Sequence, residues 1–416
     1  MKKSQRSLLI HILLFVVTFI TTTLAGAEWM FGRSFLFGPW RLGWPEFIAG
    51  MQFSVPFLLI LTVHEFGHYF TARYHRVKVT LPYYIPFWLG FLGTFSIGTM
   101  GAFIRIRERV GSLLKTFDIG LAGPLAGFVM ALIVIFYGFS HLPPKEAIYQ
   151  IHPEYELFGE HFEDIVYEKD TFFLKRDLAL INPKAATLYE ADTIWLGPSY
   201  QADFRTGSNL IFAFAKRFVV PADQRDRIPN DHEMFHNPYL FAGFLALLFT
   251  ALNLLPIGQL DGGHVLYGLV GHKTHKWVAL SVYLLLLFYS GLGVGVLGVF
   301  NPFDFSQDIS DILLGAAVYV FFLFYLLGKA PLSNSQRLIA ALVMLALQLS
   351  LLTLVPGVKG YGGWLLFAII IGRFIGVEHP RAQVEEKLGA GRIWLGWLAL
   401  LIFILSLSPQ PLIVNI

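Results

Sequence analysis

Cysteine is absent from all 416 residues. No disulfide framework and no thiolate metal site can therefore exist, and any metal the chain holds must be taken by histidine and carboxylate. Charge is scarce too: Asp, Glu, Lys and Arg make up 14% of the residues and the formal net charge is +3, too little to argue for a nucleic-acid surface. An Arg- and Ser-rich organelle transit peptide is not seen at the N-terminus. What fills the chain is apolar. Hydrophobic residues reach 55% and the mean hydropathy is +0.60, which predicts an α-helical polytopic membrane protein with about eight or nine transmembrane helices.

Within the apolar stretch of residues 47–74 stands Val63-His64-Glu65-Phe66-Gly67-His68. On a helix His64 and His68 share a face, four residues apart, with Glu65 beside them. That spacing lets both imidazoles hold one Zn²⁺ while Glu65 stays free to take a proton from water. A lone histidine on an apolar helix is more often a satisfied core residue than a ligand. Two histidines and a glutamate in hydrocarbon are harder to explain as packing, because each would need its own buried partner.

Breakers and charge divide the rest of the chain. Residues 1–46 read as an N-terminal anchor and an aromatic connector. Lys2, Lys3 and Arg6 precede an apolar run, and Ala25-Gly26-Ala27 would also suit signal-peptide cleavage; an uncleaved span with its basic end in the cytoplasm is the preferred expectation. Residues 47–140 are the first half of a membrane core. The span carrying the two histidines ends in a basic cluster at residues 73–78, which places the motif in the inner half of the bilayer. Residues 81–106 are apolar but interrupted by Pro82, Pro86, Gly90, Gly93, Gly98 and Gly101. A re-entrant glycine-rich hairpin is expected there, with strands at residues 95–97 and 102–104. Its edge can hold an extended substrate, which makes Gly98 and Gly101 candidate substrate-binding or oxyanion-supporting positions; a packing loop is the alternative. The span at residues 117–139 carries Gly120, Gly123 and Gly127 around Pro124, a small-residue face that permits close approach to the zinc-motif helix. Asp118, near its inner end, reads as interfacial.

Residues 141–237 break the membrane pattern and hold more than half of the chain's Asp and Glu. They are expected to form one small soluble extracytoplasmic α+β insertion. Residues 210–220 read as an amphipathic helix resting on the membrane surface. His232 and His236, with Asp231 and Glu233, could bind a metal, although a solvated turn before the membrane is the preferred reading. Residues 238–276 return to the membrane core. Pro256, Gly258 and Gly262-Gly263 must unwind this span at membrane depth, leaving Asp261 as a buried carboxylate in need of a cation, matched to the metal that His64 and His68 leave short of a ligand. Residues 277–416 carry about five further apolar runs, read as scaffold, with a charged connector at residues 377–392 placed inside and the C-terminus outside.

The pairing of His64-Glu65-Phe66-Gly67-His68 with Asn253-Leu254-Leu255-Pro256 and Leu260-Asp261-Gly262 resembles the site-2 protease family of intramembrane zinc metalloproteases. Ala122-Gly123-Pro124 and the glycine-broken loop before it look like that family as well. The resemblance covers roughly residues 47–271. It implies a zinc-dependent endopeptidase in which His64, His68 and Asp261 are the zinc ligands and Glu65 the general base. Asn253 matches the Asn-x-x-Pro position that supports the substrate or its oxyanion, with capping of the broken helix as the alternative; His264 is not counted as a ligand. The implied substrate is a single-span membrane protein cleaved in the lipid bilayer of the cell membrane, with the site toward the cytoplasm. Some members carry PDZ domains where this chain has residues 141–237, but no glycine-hydrophobic carboxylate-binding loop is visible there. Two other readings fit less well: a prenyl-processing type of membrane protease, which takes its third ligand from a glutamate, and a transporter with a broken-helix site, for which no repeat of halves is visible.

Overall fold

The computed structural model describes residues 3–38, 41–163, 172–174, 193–195, 203–293, 308–355 and 357–415. Long apolar runs become helices because a chain without water around it must satisfy its backbone internally. Five described helices are long and apolar enough to cross a membrane, which makes the chain a multi-pass membrane protein. They are α1 (Lys3–Phe31), α2 (Trp44–Tyr74), α3 (Leu113–Ser140), α7 (Ile309–Leu326) and α8 (Asn334–Leu354). Shorter apolar helices are α5 (Pro238–Asn253), α9 (Trp364–Ile370, continued by a π turn to Ile375) and α10 (Ala390–Ser406). Between them α6 (Asp261–Gly291) is broken at Gly271, whose φ of 74° leaves the helical region. The larger span number expected from sequence counts these shorter pieces, and its run at residues 277–300 extends past the last described residue of that segment.

The expected unwinding before Asp261 is present: α5 stops at Asn253 and α6 starts only at Asp261. The glycine-rich segment forms a two-stranded ladder that includes residues 102 and 103 of the expected second strand. β1 (Tyr83–Phe87) pairs antiparallel with β2 (Gly98–Phe103), setting Tyr83 opposite Phe103 and Phe87 opposite Gly98. Residues 95–97, expected as a strand, do not join the ladder. The Ser96 carbonyl instead accepts from Trp29 Nε1 at 2.8 Å, and the Phe95 ring lies 4.8 Å from that indole.

Small residues set how closely the first three helices approach. A Cβ on Gly67 of α2 would lie 2.7 Å from the Ala122 carbonyl of α3, and one on Gly26 of α1 would lie 2.6 Å from the Phe53 ring of α2. Ala25 and Ala27 are fully buried. Around these contacts Phe53, Phe57, Ile135, Phe139, Phe241 and Phe244 build the main apolar core, which joins α2, α3 and α5. A second core, with Tyr283, Leu287, Leu323 and Ile371, belongs to the C-terminal helices.

The insertion and the C-terminal residues meet. β5 (Asp203–Thr206) pairs antiparallel with β6 (Leu412–Asn415), and α4 (Leu210–Phe218), capped by the Asn209 side chain accepting from Phe212 N–H, packs Phe212 and Ala215 inward. β3 (Phe172–Leu174) pairs with β4 (Thr193–Trp195). The charged connector lies with the loop before α3: Gln383 N–H donates to the Gly111 carbonyl at 2.8 Å, and Arg392 makes two bonds to Asp118 at 2.8 and 2.9 Å. Asp118 is thus the ion-pair partner of Arg392.

Candidate metal centre

His64 and His68 sit on the buried face of α2, each less than a tenth exposed, and Glu65 is equally buried beside them. Their Nε2 atoms are 3.0 Å apart. The Asp261 carboxylate, which opens α6, reaches the same point: Oδ2 is 3.6 Å from His64 Nε2 and 3.3 Å from His68 Nε2. Tetrahedral zinc with ligands at 2.0–2.1 Å spaces its donors by about 3.3 Å. The three donors therefore fit one such ion, and one ligand atom from each lies within 4.8 Å of the others.

Two features of the backbone explain the convergence. The first is the face of α3. His68 Nδ1–H donates to the Ile119 carbonyl at 2.6 Å, which leaves Nε2 with its lone pair toward the centre. A Cβ on Gly123 would overlap the His68 ring, and one on Gly127 would come 3.0 Å from the His64 Cβ. The glycine face expected to allow close packing thus receives the two imidazoles. The second is the loop between α5 and α6. A Cβ on Gly262 would overlap the Leu254 carbonyl and one on Gly263 the Gly258 carbonyl, so only glycine lets α6 begin tightly enough to aim Asp261 at the histidines.

The centre opens into a cavity of about 630 Å³. Asn253 lines it with its Nδ2 at 3.4 Å from His64 Nε2, and Ala102, Phe103 and Ile104 bring the end of the hairpin to its wall. The Ile104 backbone N–H faces Glu65. Gly98 and Gly101 do not line the cavity. Gly98 is pressed onto α1, where Thr21 Oγ1 donates to its carbonyl at 2.7 Å, and Gly101 has open space where a side chain would stand. Both have positive φ, 83° and 100°, a backbone conformation that favours glycine.

Two histidines reach the site that sequence reasoning left out. His264 Nδ1 lies 2.7 Å from His379 Nε2, and both line the cavity. His379 Nδ1–H donates to the Pro380 carbonyl at 2.6 Å. Burial pushes the His379 imidazole below its usual pKa against the raising effect of that bond, and neighbouring His272 adds to the lowering. His264 follows the Asp261 motif, where it is not counted as a ligand. His379 stands in a charged connector, with no spacing that ties it to the site.

The model of peptidase family M50 matches residues 52–290, which run from α2 through α6. Among curated proteins, the chain is 25% identical over 264 residues to the rice (Oryza sativa subsp. indica) protein named probable zinc metalloprotease EGY2, chloroplastic, covering 64% of this chain and 34% of that relative. To the Arabidopsis thaliana EGY2 it is 24% identical over 274 residues, 66% of this chain and 35% of the relative. To EGY1 of Oryza sativa subsp. japonica it is 26% identical over 242 residues, 58% and 31%. The chain spans about a third of the length of the curated relatives it matches. No solved structure matches it.

Proposed function

The chain belongs to peptidase family M50, the site-2 protease family, and from that premise we propose that it is an intramembrane zinc metalloendopeptidase cleaving peptide bonds within or next to transmembrane segments. One observation carries the reading: two imidazoles and a carboxylate from either side of the insertion meet at zinc-ligand spacing, with a further carboxylate, Glu65, buried beside them.

His64, His68 and Asp261 would hold the ion, which when bound supplies Lewis acidity toward a carbonyl oxygen and toward water. Glu65 takes the proton of the attacking water and returns it to the leaving amine. The Asn253 amide holds the substrate at the same spot, donating toward the oxygen of the scissile carbonyl. A helical substrate hides its carbonyls in its own hydrogen bonds and must unwind before cleavage. Residues 102–104 offer it an extended backbone to pair with at the cavity wall.

The substrate in this reading is a single-span membrane protein. The centre faces the cytoplasm from a cell membrane in this reading, because basic residues stand at the end of α2 at 73–78, lead into α3 at 105–115 and follow the break of α6 at 272–276. The insertion at residues 141–237 then stands outside. Two comparisons test the proposal. Asp261→Ala should lose a stoichiometric zinc and cleavage of a reconstituted single-span substrate together; wild-type cleavage by that variant would sink the reading. Membranes from cells carrying Glu65→Gln should accumulate single-span proteins that wild-type cells clear.

A further inference from the structure

Glu233 and His236 bracket the short turn Met234–His236 that leads into α5, and His152 comes from the opposite side of the insertion, just before the 3-10 turn Pro153–His161. One ligand atom from each lies within 4.8 Å of the others. His152 Nε2 and His236 Nε2 are 3.3 Å apart, and Glu233 Oε2 is 3.2 Å from His236 Nε2. These are the spacings that tetrahedral zinc imposes on its donors, about 3.3 Å. The three residues offer the same donor set as His64, His68 and Asp261, two imidazoles and one carboxylate.

The surroundings orient the donors as the second shell of a metal site does. His236 Nδ1–H donates to the Met30 carbonyl at the end of α1, 2.7 Å away, so a neutral His236 turns the lone pair of Nε2 toward His152 and Glu233. Glu233 is buried, 7% exposed, and its other oxygen accepts from the Tyr155 hydroxyl at 3.3 Å. The His152 ring stacks on Tyr155, with centroids 4.6 Å apart and planes within 14°. Of the residues grouped by sequence around His236, Asp231 points elsewhere, to Lys216 Nζ at 2.8 Å. The second imidazole is that of His152, not His232.

We propose that His152, Glu233 and His236 form a second zinc site, which fastens the insertion to the end of α1 and the start of α5. The ligands come from two separate turns of the insertion, and the hydrogen bond to Met30 extends the link to the first helix. With two imidazole nitrogens and one carboxylate, from a buried glutamate and two partly buried histidines, the site suits Zn²⁺ over Ca²⁺ or Mg²⁺, which require more oxygen ligands. It lies at the opposite end of α5 from Asn253, about 24 Å along the helix from the catalytic centre at 1.5 Å per residue.

The test is the zinc content of the full chain, purified in detergent, passed through a weak chelator and measured by elemental mass spectrometry. Wild type should carry two zinc ions per chain, His152→Ala one, Asp261→Ala one, and the double variant none. The zinc that His152→Ala retains certifies its fold; if that variant aggregates, the isosteric Glu233→Gln takes its place and should also carry one. Wild type with a single zinc, lost in Asp261→Ala and kept in His152→Ala, overturns this site and leaves the peptidase reading standing. A zinc lost in His152→Ala and kept in Asp261→Ala supports this site and removes the peptidase ligands instead. Cobalt gives a second readout: two Co²⁺ ions should bind with tetrahedral visible absorption, and His152→Ala should remove about half of it.

Discussion

Near each end of α5 stand two imidazoles and a carboxylate, in two kinds of scaffold. At the Asn253 end, both histidines stand on one long helix, and a neighbouring helix with glycine at the contact points grips their rings. At the Asn237 end, the histidines and the glutamate come from short turns, and the orienting partners are a backbone carbonyl, a tyrosine hydroxyl and a stacked ring. Helix packing holds side chains to within fractions of an ångström, as chemistry at a reacting bond needs. Turns suffice to cross-link two segments. The difference suits the roles proposed, catalysis at the first group and fastening at the second.

The largest effect expected from this contrast is confined to the inner group. Glu65→Gln keeps the shape of the side chain and removes its ability to accept a proton. Cleavage should fall by about 10²–10⁴-fold, the range of general acid–base catalysis, while zinc content stays at the wild-type value. His152→Ala, far from the chemistry, should change cleavage by no more than about twofold, as for independent distant sites. Equal losses of cleavage in the two variants would erase the proposed division of labour.

A second, smaller effect concerns the grip of α3. Gly123→Ala places a methyl group where the His68 ring lies, so the imidazole must turn away and its bond to the Ile119 carbonyl is broken or bent. Loss of such an orienting contact weakens metal binding by about 10–100-fold. Chelator competition should show that loss for the inner zinc with the outer one unchanged. Unaltered inner affinity would mean that the glycine face serves packing only.

The same contrast decides how much could be read in advance. His64, Glu65 and His68 were legible because an α-helix turns a four-residue spacing into a shared face, and Asp261 because a carboxylate among Pro256, Gly258, Gly262 and Gly263 in an apolar run has no bland explanation. The glycines at 120, 123 and 127 announced close packing for the same reason of periodicity. Of the two expected strands, residues 102 and 103 do pair in β2, whereas residues 95–97 do not, and there the Ser96 carbonyl accepts from Trp29, a contact between distant segments that leaves no local pattern. His379 and His152 were missed on similar grounds. Each reaches its histidine partner across the fold, His379 to His264 and His152 to His236, and neither stands at a spacing that a helix or strand would convert into proximity.

The smallest effect expected separates a metal site from a histidine cluster at the outer group. Tyr155→Phe removes only the hydroxyl that donates to Glu233 and keeps the ring that stacks on His152. At 3.3 Å the bond is long, so its contribution lies near 1 kcal/mol, or about fivefold in affinity. If Glu233 is a ligand, the carboxylate loses an orienting partner, and zinc at the outer site should bind about fivefold more weakly while the inner zinc and the cleavage rate stay as they are. If Tyr155 only packs, the conservative change leaves the outer affinity untouched. Restoring the hydroxyl restores the affinity only in the first case, because stacking alone holds the ring while Glu233 is aimed by the bond.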